Sequence, residues 1–168
     1  MATNYKPITA IAVFPSGSPK QSKIQGIIEF KESNRSNNII INIKLSGLKP
    51  GKHGFHIHET GNLLEDCKSC KSHFNPFGEV HGGPNSSKRH IGDLGNIIAD
   101  SNGNVNMKLY DNQISLRNFQ RNIIGRSVVI HSGEDDLGKG GDEESLKTGN
   151  AGSRIGCAVI GYAEAYYF

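Results

Sequence analysis

The sequence predicts an all-β protein with antiparallel strands, either a sandwich or a Greek-key barrel. Short segments rich in β-branched residues recur along the 168 residues, and clusters of Gly, Pro, Asn and Ser separate them. No window of useful length shows the 3.6-residue period of an amphipathic helix. The length suits one domain with a sizeable core, and neither a second domain nor an internal repeat is evident, so residues 1–168 are predicted to form a single domain.

The first three predicted strands are short and rich in isoleucine. Turn or breaker residues follow them: Pro15-Ser16-Gly17-Ser18-Pro19 after the first, Ser33-Asn34 after the second and Lys49-Pro50-Gly51 after the third. In the third segment isoleucine and leucine occupy every second position, as in a strand with one buried face. The predicted strands cover residues 8–14, 24–30 and 39–45.

The second half of the chain adds strands and two long loops. A strand runs through residues 54–58, and residues 91–99 and 104–110 are predicted to form a hairpin across Asp100-Ser101-Asn102-Gly103. Residues 126–131 and 156–162 supply the last two strands. The segments 61–91 and 132–154 are too long for simple hairpin connections, and loops of such length in compact domains are usually functional or disordered.

Potential metal ligands are concentrated between Gly54 and Asp93, which hold five of the seven histidines. His56 and His58 are two residues apart on a strand and therefore project from the same face, with Ile57 on the other. Imidazole suits copper and zinc, and three imidazoles with one carboxylate would complete a tetrahedral zinc shell. The sequence therefore predicts a site for one or two transition metals, with further ligands among His73, His81, His90 and Asp93.

Composition argues against several classes of protein. The formal net charge is +3 with Lys and Arg scattered, which disfavours nucleic acid as a partner, and no apolar run approaches the length of a membrane span. Residues 1–7 lack the features of a secretory signal, which predicts a cytoplasmic location. The Cys67-Lys68-Ser69-Cys70 motif also suggests a zinc finger, but no second ligand pair lies at finger spacing and no basic recognition helix follows.

Five motifs, spread over nearly the whole chain, closely resemble the copper/zinc superoxide dismutases. They are His56-Ile57-His58, His73-Phe74-Asn75-Pro76, His81-Gly82-Gly83-Pro84, residues 89–96 (Arg-His-Ile-Gly-Asp-Leu-Gly-Asn) and residues 149–154 (Gly-Asn-Ala-Gly-Ser-Arg). The resemblance implies an eight-stranded antiparallel Greek-key β-barrel, an immunoglobulin-like sandwich with two long functional loops. It also implies a homodimer and possible contact with a copper-delivery protein.

The resemblance further implies one copper and one zinc ion per subunit. Copper would be held by His56, His58, His73 and His131, and zinc by His73, His81, His90 and Asp93, so that His73 bridges the two ions. The implied reaction converts two superoxide anions and two protons to dioxygen and hydrogen peroxide as copper cycles between Cu(II) and Cu(I). His73 would carry a proton to the second superoxide, and zinc would order the loop.

Other residues match positions with known roles in the family. Arg154 corresponds to the arginine that orients the substrate anion, and Asp135 to a carboxylate linking a copper histidine to a zinc histidine, although its neighbour Asp136 competes for this role. Residues of the electrostatic loop would guide superoxide to the copper; they are Glu143, Glu144, Lys147 and Thr148.

The three cysteines allow more than one interpretation. The resemblance pairs Cys67 with Cys157 in an intrasubunit disulfide, which would be an exception to the rule that cytosolic thiols stay reduced. Cys70 departs from the family pattern. It could remain a free thiol, form a local disulfide with Cys67, bind zinc in the immature protein, or exchange with the bridge to Cys157.

A non-enzymatic relative is the alternative function, a module that sequesters copper or engages a copper-delivery protein. Such a relative would be expected to lose a copper ligand, the arginine or a bridge cysteine, and this sequence retains all of them. For the dimer, Gly61, Ile124 and Val159 fall near the family's subunit contact, whereas Tyr162 and residues 166–168 depart from it. His53 fits no ligand position and is predicted to be a structural hydrogen-bonding residue.

Overall fold

The computed structural model describes residues 6–15, 22–33, 36 and 38–163. Strands dominate these residues, with one 3-10 turn at Lys68–Cys70 and one short helix, α1, at Ser145–Thr148. In chain order the strands are β1 Thr9–Phe14, β2 Gln25–Glu32, β3 Ile39–Ser46, β4 Gly51–His58, β5 Leu64–Cys67, β6 Asp93–Ala99, β7 Val105–Asp111, β8 Ser127–His131, β9 Arg154–Val159 and β10 Gly161–Ala163.

The strands form two antiparallel sheets. One has the order β10-β1-β2-β3-β7 and the other the order β6-β4-β8-β9. Residues from both sheets share one hydrophobic core, in which Phe30, Ile41, Phe55, Ile57 and Ile130 are fully buried. This arrangement confirms the predicted all-β sandwich. Ladder hydrogen bonds do not join the two sheets into a closed barrel in the described residues.

The family pattern predicts eight strands, and the described part of the chain contains ten. The segment predicted as the last strand is divided at Ile160, so that β9 belongs to one sheet and β10 to the other. At this point the backbone of Ile160 pairs with the turn before β8: its amide donates to the Arg126 carbonyl at 2.9 Å, and its carbonyl accepts from the Gly125 amide at 2.8 Å. β5 is a short additional strand within the first long loop.

The predicted hairpin between residues 91–99 and 104–110 is wrong in its pairing. The turn itself forms, since the Gly103 amide donates to the Asp100 carbonyl at 3.0 Å. The chain then crosses to the other sheet, so β6 pairs with β4 and β7 pairs with β3. Turn residues determine that the chain reverses, but long-range burial of the flanking strands determines which partner each one finds.

Some sequence predictions fall outside the described residues. Asn34 of the second turn, residues 16–19 of the first breaker cluster and the aromatic tail 166–168 belong to this group. Among the residues that are described, no helix is long and apolar enough to cross a membrane.

Candidate metal centre

One strand supplies the first two histidines of the site. β4 places Phe55 and Ile57 in the hydrophobic core, so His56 and His58 project from the opposite face, where both are fully buried. A register shift between Gly54 and His56 brings Asp93, the first residue of β6, opposite His56. β8 pairs with the other edge of β4 and ends at His131.

The first long loop supplies the remaining histidines. His73 is tied to β4 by an isolated bridge with His58, and the Phe74 amide donates to the Ile57 carbonyl at 2.8 Å. The Gly92 amide in turn donates to the Phe74 carbonyl at 3.0 Å. Backbone bonds therefore fold the loop back onto the strand. As a result, the potential ligands of this region are all buried: His73, His81, His90 and Asp93.

Four histidines form the first cluster, with potential ligand atoms all within 4.8 Å of one another: His56, His58, His73 and His131. Three of them are oriented by a hydrogen bond from the nitrogen that faces away from the cluster. His58 Nδ1 donates to the Lys71 carbonyl at 2.8 Å and His131 Nδ1 to the Gly152 carbonyl at 3.0 Å. His56 Nε2 donates to Asp135 Oδ2 at 2.7 Å.

The second cluster is centred on a carboxylate oxygen. Asp93 Oδ1 lies 2.9 Å from His73 Nδ1, 3.0 Å from His81 Nδ1 and 3.1 Å from His90 Nδ1, and the nitrogens of His73 and His90 are 3.3 Å apart. Ligand atoms about 2.0–2.1 Å from a tetrahedral zinc lie about 3.3 Å from one another. The four atoms therefore have nearly the spacing of a tetrahedral zinc shell.

Asp135 connects the two clusters. Its Oδ2 accepts from His56 Nε2, and its Oδ1 accepts from His81 Nε2 at 2.8 Å. Asn96 fixes it in turn, since the Asp135 amide donates to Asn96 Oδ1 at 2.8 Å and Asn96 Nδ2 donates to the Asp135 carbonyl at 2.9 Å. Asp136 bonds Ser145 and Asn150 and contacts neither cluster. Of the two neighbouring aspartates, only Asp135 bridges the histidines.

The residues fit transition metals on two grounds. First, three buried ring nitrogens of the first cluster have no hydrogen-bond partner among the described residues: His56 Nδ1, His58 Nε2 and His131 Nε2. Leaving a buried polar atom without a partner costs about 1–3 kcal/mol, so three in one place point to a ligand. Second, the atoms of both clusters belong to the donor classes, imidazole and carboxylate, that copper and zinc accept.

Burial prepares most of these rings as ligands. It lowers the pKa of His56, His58 and His73, and it lowers the pKa of His131 to about 4, which favours the neutral imidazole that a metal requires. His81 differs: burial opposes its charged form, but hydrogen bonds to Asp135 and Asp93 outweigh burial and raise its pKa to about 9. For Asp93 burial favours the neutral acid, yet three histidine hydrogen bonds hold its pKa well below the usual range.

Comparisons with known proteins agree with this geometry. The family model for copper/zinc superoxide dismutase matches residues 24–160. The chain belongs to the copper/zinc superoxide dismutase family. A superoxide dismutase [Cu-Zn] of Paramecium bursaria Chlorella virus 1 is 54% identical over 160 residues, which cover 95% of this chain and 81% of the relative. Superoxide dismutase [Cu-Zn] 5 of Dictyostelium discoideum is 49% identical over 141 residues, covering 84% and 92% of the two chains.

A solved structure shares the fold of this superoxide dismutase. The crystal structure of the clock protein EA4 superposes with a TM-score of 0.86 at 43% identity, and the match covers 97% of this chain and all of the other. The protein is therefore an oxidoreductase that converts superoxide to dioxygen and hydrogen peroxide, and its cofactors are copper and zinc. These findings confirm the function and cofactors expected from the sequence.

The first cluster opens onto a cleft of about 760 Å³ that the dismutase presents to solvent. Half-buried Arg154 lines it, and Arg154 Nη1 donates to the Cys67 carbonyl at 2.6 Å. Of the four predicted steering residues, Glu144, Lys147 and Thr148 line the cleft. Glu143 does not line it, and instead pairs with Lys147 at 2.6 Å.

The structure contains one disulfide in the described residues, between Cys67 and Cys157. It joins the end of β5 to β9, the strand that carries Arg154. Cys70 is a free, buried thiol 3.8 Å from the Asn62 carbonyl, and burial raises its pKa. Among the alternatives for Cys70, the native fold therefore contains the free thiol.

Sequence reasoning anticipated His53 in part and missed other residues. His53 is buried and its ring nitrogens lie 2.8 Å from the carbonyls of His131 and Lys49, in keeping with a structural role. The carbonyls of Lys71 and Gly152 orient ligand rings, but a backbone acceptor leaves no trace in side-chain chemistry. Asn96 lies inside a family-like motif, where its side chain could have been identified as a support for Asp135.

Proposed function

We propose that His56, His58, His73 and His131 bind the copper ion of this dismutase. We propose further that zinc is bound by His73, His81, His90 and Asp93. The copper assignment rests on the buried, unpartnered ring nitrogens directed into the first cluster. The zinc assignment rests on the spacing of three histidine nitrogens around Asp93 Oδ1. His73 belongs to both clusters, because its Nδ1 faces Asp93 and its ring centre lies 4.1 Å from that of His56.

Copper, when bound, supplies the one-electron chemistry, whereas zinc has no redox chemistry of its own. The residues of the chain must then bind the anion, keep the rings in place and deliver protons. His73 is the proposed proton carrier. With Nδ1 on the zinc side, its Nε2 is left for the copper side, where it would hold a proton between the half-reactions and pass it to the second superoxide.

Arg154 is the proposed binding group for superoxide. It lines the cleft beside His58 and His131, and its guanidinium offers parallel donors with a positive charge that suits a small oxyanion. The bond from Nη1 to the Cys67 carbonyl fixes the head group. The disulfide from Cys67 to Cys157 would support this position, because it restrains the turn that holds the arginine.

The assignment of roles to the loop residues is part of the same proposal. Asp135 would keep the rings of His56 and His81 in register through its two hydrogen bonds. Glu143, Glu144, Lys147 and Thr148 would set the electrostatic field at the mouth of the cleft, an effect that salt should screen.

We also propose that the protein forms a homodimer through the surface around Gly61, Ile124 and Val159. These residues are partly buried, and a Cβ built on Gly61 would lie 3.2 Å from Val159 Cγ1, so Gly61 and Val159 are neighbours. Tyr162, which follows Val159 closely in the sequence, is 68% exposed. Sedimentation equilibrium of the protein and of Ile124→Lys tests the surface; a dimer unaffected by this charge would contradict it.

Separate substitutions test which metal each histidine binds. His58→Gln should change the copper EPR spectrum and leave zinc bound, and His81→Gln should release zinc while copper remains. His53→Gln is the matched control, because His53 is equally buried but belongs to neither cluster. Loss of both metals from every variant would contradict the assignment, as would an unchanged copper EPR spectrum in His58→Gln or normal zinc content in His81→Gln. The cytoplasmic location, the single domain 1–168 and the copper-delivery partner remain predictions.

A further inference from the structure

A carboxylate at the mouth of the cleft has no role in the site described above. Glu79 lies in the first long loop, is exposed, and lines the same cleft as His58, His131 and Arg154. Its backbone is fixed at both ends by one side chain: the Glu79 amide donates to Asn75 Oδ1 at 3.0 Å, and Asn75 Nδ2 donates to the Glu79 carbonyl at 2.8 Å. The backbone that carries this charge is therefore held at the mouth of the cleft.

Two negative and two positive side chains line the cleft, and they differ in their pairing: Glu79, Glu144, Lys147 and Arg154. Lys147 is paired with Glu143, so much of its charge is compensated. Glu144 accepts a hydrogen bond from the neutral hydroxyl of Thr148, at 2.9 Å, and its charge also acts on the neighbouring Lys147. For Glu79, no ion pair forms with any other described residue. The mouth thus presents the uncompensated negative charge of Glu79, while the positive charge of Arg154 lies beside the copper cluster.

We propose that Glu79 is a specificity-determining residue, a charge filter that admits superoxide and discriminates against anions of higher charge. The inference rests on the proposed role of the cleft as the route of superoxide. The physical basis is that electrostatic repulsion scales with the charge of the entering anion. A fixed carboxylate therefore raises the barrier twice as much for a dianion as for a monoanion.

The size of the effect follows from Coulomb's law. Two unit charges about 10 Å apart in water repel with an energy near thermal energy, which lowers the local concentration of a monoanion about twofold. The local concentration of a dianion is lowered by the square of that factor, about fourfold. At 0.15 M ionic strength the screening length is about 8 Å, so the twofold effect shrinks to about 1.2-fold.

The test compares two variants that remove the same charge from different places. Glu79→Gln removes the carboxylate at the cleft, and Glu65→Gln removes one from β5, where Glu65 is also exposed and does not line the cleft. Glu79→Lys reverses the charge. In metal-loaded protein at low salt, Glu79→Gln should raise kcat/KM for superoxide about twofold and Glu79→Lys about fourfold, while Glu65→Gln stays near the parent value.

Two further measurements separate charge selection from a general gain in activity. Inhibition by sulfate at constant ionic strength should strengthen about fourfold in Glu79→Gln, twice the factor for superoxide. Equilibrium binding of azide, a monoanion followed by its charge-transfer absorption on Cu(II), should strengthen about twofold. Azide binding does not depend on turnover, so it still reports on Glu79 if dismutation is absent and the proposed route of superoxide fails.

Several results would overturn the proposal. It is wrong if Glu79→Gln and Glu65→Gln change azide binding equally, because the change would then come from the net charge of the protein and not from the position of Glu79. It is also wrong if sulfate and azide change by the same factor in Glu79→Gln, or if the changes persist at high salt. Copper and zinc contents should match across the three variants, and the comparison uses only samples that hold both metals.

Discussion

Replacing Asp135 by Asn tests whether this carboxylate holds the two clusters together. When a metal takes Nδ1 of His56 and of His81, each ring keeps an N–H at Nε2 and needs an acceptor there. Asp135 provides one oxygen for each, at 2.7 Å and 2.8 Å. Asparagine retains one oxygen and presents an NH2 group to the other ring, so one buried donor faces another donor.

The expected loss can be worked out from these contacts. Hydrogen bonds to a charged group contribute about 1.5–3 kcal/mol. Because about 1.4 kcal/mol corresponds to a factor of ten, losing one bond weakens metal binding about 10- to 100-fold. Zinc affinity is therefore expected to fall by this factor, and copper affinity to fall in the same direction.

Competition with a chromophoric chelator measures both affinities. Asp136→Asn is the matched control. It removes the same charge from the neighbouring residue, and Asp136 bonds Ser145 and Asn150 instead of the histidines. Asp136→Asn should bind zinc nearly as well as the parent protein. Equal losses in the two variants would show a charge effect without positioning, and an unchanged zinc affinity in Asp135→Asn would refute the reasoning.

Three other predictions concern stability and thiol chemistry. Gly92→Ala should lower the free energy of unfolding, measured in urea, by about 1–3 kcal/mol, because the new Cβ would overlap the Ile57 carbonyl oxygen. Gly161→Ala is the control, because its Cβ meets nothing within 4 Å, and equal losses in the two variants would contradict this reasoning. Removing zinc should lower the Tm measured by calorimetry. A ligand at 1,000 times its Kd stabilises the folded state by about 4 kcal/mol, which corresponds to about 8–16 °C for a chain of this size. An unchanged Tm would exclude a structural role for zinc. Burial raises the pKa of the Cys70 thiol, so iodoacetamide should label the native protein slowly at pH 8 and faster as the pH rises. Unfolded protein with its disulfide intact should react at once. Rapid labelling of the native protein would contradict a buried thiol.

Much of the fold could be predicted from local patterns. Alternating isoleucines in β3 and the paired histidines of β4 indicate strands with two different faces, and the structure places Phe55 and Ile57 in the core opposite His56 and His58. Pairing was harder to predict. The turn at residues 100–103 is correct, but local sequence gave no sign that β6 and β7 join different sheets.

The metal site likewise has parts that the sequence could predict and parts that it could not. Residue type and spacing pointed to five of the histidines and Asp93 as potential ligands, because the chemistry of a metal ligand lies in its side chain. His131 was added only by the family resemblance. The parts that orient them depend on three-dimensional contacts. The carbonyls of Lys71 and Gly152 belong to residues whose side chains have no connection with metal binding. Glu79 likewise matches no motif, and its position in the cleft follows only from the path of the loop.

The measurement that tests the account most directly is superoxide decay by pulse radiolysis, on protein shown to hold one copper and one zinc ion per chain. The account predicts rapid dismutation that falls with added salt and falls sharply in Arg154→Ala, which keeps both metals but loses the guanidinium in the cleft. Decay no faster than with free copper, in protein that retains both ions, would contradict the assignment of these residues to the reaction.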